Sequence, residues 1–98
     1  MMNKKLLKEK LKNEEYDDCI LILREELINI LTEKIKKEDS YFNFSTTKDL
    51  YNKAKITLNL NEIQIAYKLY TFDTMYEVDK YVLDQMLEMY QEIQNNNV

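Results

Sequence analysis

Asp73 and Glu77 stand four residues apart, with Asp84 a short way further along. Carboxylates at i and i+4 of a helix lie on one face, and oxygen donors so placed can share a divalent cation. That is the first chemistry these residue types allow. The metal sites of helical bundles, however, add a Glu-x-x-His pair, and this chain has no histidine. Acidic residues near a helix start are accounted for by the helix dipole, so no metal is expected. The single cysteine, Cys19, lies in DDCILIL. Alone it excludes an intramolecular disulfide, and without histidine it excludes zinc sites of the usual Cys/His kind. A reactive thiol needs a cationic neighbour, and Asp17 and Asp18 are the opposite, so Cys19 reads as a small core residue.

Other catalytic arrangements fail for lack of parts. A Ser/His or Cys/His nucleophile needs histidine, and the phosphate-cradling loops need glycine; the chain has neither residue. No catalytic residue and no cofactor is expected. What remains is aromatic. Eight tyrosines are present, and Tyr67, Tyr70 and Tyr76 fall close together around Phe72. Tyrosine is enriched at protein interfaces because it joins a large contact area to a hydroxyl.

The elements that must position these residues are helices. Gly 0 and Pro 0 in 98 residues leave hairpins and bulges without their usual residues, so helices joined by Asn, Asp, Ser and Thr are expected. Leu6, Leu7 and Leu11 stripe a leading helix over 3–12, with Lys4, Lys5, Lys8 and Lys12 on its wet side. Asn13 reads as the N-cap of a second helix running to Lys37. Its apolar positions are Tyr16, Ile20, Leu23, Leu27, Ile30 and Leu31, with Leu21, Ile28 and Ile35 in a neighbouring row. EDSYFNFST is a loop whose Tyr41, Phe42 and Phe44 are expected to fold back on the core. Thr46 to Asp49 has capping-box spacing, starting a helix over 47–57. Asn61 reads as the cap of a helix from Glu62, with Ile63, Ala66, Tyr67 and Tyr70 on one face. Thr74 to Glu77 repeats the capping-box spacing, placing the last helix from Met75 to Gln94. Neither a linker nor a repeat interrupts the chain. The expectation is therefore all-α: a compact bundle of about five helices, one domain over 1–98, with a basic leading helix (1–12), the bundle (14–94) and a frayed tail (95–98).

Charge is unevenly spread within a net −4. Residues 1–13 hold five Lys against one Glu, whereas residues 69–98 hold one Lys against six acids. An acidic domain with one basic end lacks the basic face of a nucleic-acid binder, so no direct nucleic-acid binding is expected. The longest apolar run, Cys19–Leu23, is far too short for a membrane span. MMNKKLL does not read as a signal peptide, so no membrane association and a cytoplasmic location are expected.

The stretch EEYDDCILILREELINILTEKI resembles the opening helix of the HEPN family, small four- to five-helix bundles that include ribonuclease toxins and inactive relatives. Arg24 occupies the arginine position of that family's "LR-x-x-L-E"-type segment, and Leu27-Ile28 stands where Leu-Glu is common. DLYNKAKITLNLNEIQIAYKLYTF is similar to the family's middle, and the likeness covers about residues 14–93. Active members carry an arginine, usually followed by a polar residue, and then a histidine, to stabilise phosphate charge and move a proton. With Asp73 at the polar position, Phe72 replaces the arginine and Glu77 stands near the histidine. The resemblance thus implies an inactive relative that pairs through its later helices.

The functional expectation is a non-catalytic protein-interaction module, a homodimer, contacting through Tyr67, Tyr70, Phe72 and Tyr76. The alternative is a small acidic inhibitor of a nucleic-acid enzyme, an antitoxin or a phage-encoded anti-defence protein of the anti-CRISPR type. In that case Asp73, Glu77, Asp79, Asp84 and Glu88 face a basic groove of the target.

Overall fold

The computed structural model describes residues 2–73 and 80–95. Their order is α1 (Lys4–Lys12), α2 (Tyr16–Glu38), α3 (Thr47–Thr57), α4 (Leu60–Phe72) and α5 (Lys80–Asn95). The protein is all-α, with no strand among the described residues. Two compact units are formed, one from Met1–Leu27 with Tyr76–Val98 and the other from Ile28–Met75. Helix α2 runs unbroken through residues of both.

In the first unit, Leu7 of α1, Cys19, Ile20, Leu23 and Leu27 of α2, and Val82, Leu83, Met86, Met89 and Ile93 of α5 are buried. Cys19 is buried as expected, and burial, aided by Asp18 and Glu15, raises its thiol above the ordinary pKa. The step from α1 to α2 corrects the sequence expectation. Asn13 closes α1 rather than opening α2. Glu14 follows in the left-handed region at φ 57°, its N–H bonded to the Leu11 carbonyl and the N–H of Glu15 to that of Lys10. These are the two bonds of a Schellman motif, in which the left-handed position is usually glycine. Because the chain has none, Glu14 takes it. The Glu15 carbonyl then accepts the first bond of α2, from Cys19. Lys10 lies 3.3 Å from Glu15 and 3.1 Å from Asp18, and these hydrogen-bonded carboxylates, Asp18 first, raise its pKa.

The row of Leu21, Ile28 and Ile35 divides. Ile35 is fully buried, Ile28 half-buried and Leu21 exposed. A straight α-helix drifts about 20° per seven residues, so a heptad row crosses from the core edge to the surface over two heptads. The expectation that Leu21 joins the core is therefore corrected.

In the second unit, Leu31, Ile35, Leu50, Ala54, Ile65, Ala66 and Leu69 are buried, and α3 packs on α4. The loop between α2 and α3 does not return all three aromatics to the core. The Phe42 N–H bonds the Asp39 carbonyl in a β-turn, which leaves Tyr41 at a corner, 94% exposed. Phe42 and Phe44 instead stack on each other at 5.7 Å. Asp39 pins the loop, holding Lys53 of α3 at 2.8 Å and accepting from the Tyr41 N–H. Thr46 caps α3, as its spacing implies.

Helix α4 starts two residues earlier than expected. Asn59, not Asn61, is its N-cap, and Glu62 reaches back to the Asn59 N–H to complete a capping box. The expected start of the last helix, with the Thr74 to Glu77 capping-box spacing, lies outside the described residues. At its other end α5 continues through Asn95, where a frayed tail was expected to begin. No helix among the described residues is long and apolar enough to cross a membrane.

Candidate functional site

Helix α4 is apolar on two faces. At 100° per residue, Ile65, Ala66 and Leu69 form one, which is buried together with Glu62. Leu60, Ile63, Tyr67 and Tyr70 recur at steps of three, four and three on the other. There Leu60 is 71% and Tyr67 49% exposed, while Ile63 and Tyr70 are half-buried. A surface helix ordinarily turns charged or polar residues outward. This one turns a second apolar stripe outward, with the spacing by which helices pair.

Tyr51 of α3 supports that stripe. Its ring centroid lies 5.3 Å from Tyr67, tilted at 57°, and 6.1 Å from Tyr70, stacked at 17°. Aromatic pairs at such separations contribute about 0.5–1.5 kcal/mol each beyond area burial. Lys55 Nζ sits over the Tyr51 ring, 4.7 Å from its centroid, in a cation–π contact. Tyr51, Ile63, Gln64, Tyr67 and Lys68 line a shallow depression of about 570 Å³.

No protein-family model, no curated protein and no solved structure matches this chain.

The sequence-expected contact residues separate. Tyr67 and Tyr70 belong to the cluster just described. Ala66, expected on their face, is instead fully buried. Phe72 is half-buried in the last turn of α4. Asp73 is the C-cap of α4, and its carboxylate accepts a hydrogen bond from the Thr47 hydroxyl, tying the end of α4 to the start of α3. Tyr76, Glu77 and Asp79 lie outside the described residues. Asp84 and Glu88 are exposed one turn apart on α5, in the other unit. Among the described residues no three Cys, Asp or Glu side chains gather to hold a metal ion.

The sequence expectation included neither Tyr51 nor Leu60 in the contact. The signal that could have found the stripe was the three-four-three spacing from Leu60 to Tyr70. It was obscured because placing the cap at Asn61 left Leu60 outside the helix.

Proposed function

We propose that this chain is a non-catalytic protein-binding module that pairs with a second copy of itself through the outer face of α4. The observation that carries this reading is the Leu60–Ile63–Tyr67–Tyr70 stripe, in which Leu60 and Tyr67 are exposed and Tyr51 packs on Tyr67 and Tyr70. Such a stripe is self-complementary under a two-fold axis, because one helix can offer the same row to its copy. Its aromatic content is that of interface cores rather than of ordinary surface. The HEPN-like resemblance points to the same helices and to loss of activity, since Phe72 stands where active members carry arginine. A cytoplasmic location goes with this reading.

The test is light scattering at high micromolar concentration on the wild type and on Tyr67→Glu and Leu60→Glu. A dimer that each variant weakens at least tenfold is expected. Leu60 is the more exposed of the two, so Leu60→Glu should change the thermal stability of the monomer by no more than about 0.5 kcal/mol. Tyr67→Glu also loses its ring contact with Tyr51 and should cost about 0.5–1.5 kcal/mol. A wild-type monomer at that concentration overturns the proposal, as does a dimer that both variants leave intact.

A further inference from the structure

A second surface, in the other unit and unrelated to the tyrosine stripe, has the makings of a ligand site. Between α1 and the later turns of α5 lies a groove of about 620 Å³, within the range of roughly 300–1,000 Å³ in which small-molecule sites fall. Leu7 and Leu11 of α1 and Leu87 and the Tyr90 ring of α5 make it mainly apolar. Lys4, Lys5 and Lys8 stand along its α1 side. Among the described residues no carboxylate belongs to the lining, although the chain holds eighteen acids against fourteen cations; Glu26 of α2 acts on Tyr90 from beyond the lining. Glu9, the one acid of α1, is not among the lining residues.

We propose that this groove binds an amphiphilic carboxylate, a medium-chain fatty acid, with its chain along the leucines and its head group among the lysines. The residues that line α1, from Lys4 to Leu11, span about 10 Å at ~1.5 Å per residue, which covers the head group and most of a medium-length chain, with the chain's end reaching past Leu11. Lysine suits the head group, since its stem lies along apolar surface while the ammonium stays in water. The sorting of charge selects an anion over a neutral or cationic amphiphile, and the leucines select an apolar body over a bare anion.

The experiment is a titration of the isotope-labelled full chain with decanoate below its micelle concentration, followed by amide NMR, with decanol as the uncharged comparison. Saturable shifts at Leu7, Leu11, Leu87 and Gln91 are expected, with decanol binding more weakly. The triple variant Lys4→Gln/Lys5→Gln/Lys8→Gln should bind decanoate about fivefold more weakly, the sum of small exposed charge contacts. All three lysines are exposed, so the variant should fold as the wild type does, which a thermal melt checks. Shifts that never saturate, shifts centred elsewhere, decanol binding as tightly as decanoate, or a triple variant with wild-type affinity would each overturn the proposal.

Discussion

Glu62 holds Lys34 at 2.8 Å through Oε2 while its Oε1 accepts the N–H of Asn59 at 3.3 Å. One carboxylate therefore fastens the start of α4 to the second half of α2 and completes the cap of its own helix. Both side chains are largely out of water, Lys34 at 21% and Glu62 at 9% exposure. A pair in that position stabilises less by its attraction than it destabilises when one partner is removed, because the other is left desolvated.

Glu62→Ala should accordingly cost about 2–3 kcal/mol, the range for losing a hydrogen bond to a charged group in a mostly buried site. Glu62→Gln keeps an acceptor for the Asn59 N–H and should cost less. Urea denaturation of both variants measures the difference. A loss below about 0.5 kcal/mol in the alanine variant would show that the pair is solvent-screened.

Glu14 is the residue in the chain's structure best replaced by glycine. A side chain in the left-handed region costs about 1 kcal/mol that glycine does not incur, offset in part by the greater freedom of glycine in the unfolded chain. Glu14→Gly should raise stability by about 0.5–1 kcal/mol, a gain of a few degrees in Tm for a domain of this size. Glu14→Val should lower it, since a β-branched residue fits that region poorly. A melt in which the glycine variant is the less stable of the two would remove the Schellman motif from consideration.

Two carboxylates, Asp39 in the loop before α3 and Asp49 in the first turn of α3, should report on acid stability. Asp39 is held below its ordinary pKa of 3.8 chiefly by its hydrogen bond from Lys53. Asp49 is lowered chiefly by the Ser45 hydroxyl, which donates to it at 3.1 Å. For a carboxyl whose folded pKa is depressed, the stabilisation is present above the unfolded pKa and is lost as pH falls through the folded one. Both contributions are thus complete at neutral pH and fade only below about pH 4. Carboxyl-carbon NMR should find both groups titrating below 3.8, and Lys53→Met should return Asp39 toward the ordinary value while leaving Asp49 unmoved. If Asp39 titrates alike with and without Lys53, the loop is not pinned as described.

Local rules made much of this legible beforehand. Thr46 caps α3 where its spacing places it, because a cap is satisfied by atoms three residues away. Cys19, Leu23 and Leu27 are buried where a 3.6-residue period puts them. Failures arose where two local solutions compete. Asn13 and Asn61 are both capable N-caps, yet the chain used Asn13 to close α1 and left the capping of α4 to Asn59 with Glu62. Asparagine suits either end of a helix, and nothing within a few residues decides between them.

The candidate surface shows the same division. The sequence by itself determined that the protein is helical, that it lacks the residues for histidine, zinc or glycine-loop chemistry, and that its aromatics concentrate around α4. It could not say which apolar stripe of α4 faces the core, because Ile65 with Leu69 and Ile63 with Tyr67 have equal helical spacing and comparable hydrophobicity. Only tertiary packing chose the first pair for the interior and left Leu60 and Tyr67 exposed, with Tyr51 of α3 set on Tyr67 and Tyr70. Tertiary contact likewise set Leu21 in solvent and Ile35 in the core, since a heptad row on a straight helix drifts and only its neighbours decide where along it burial ends.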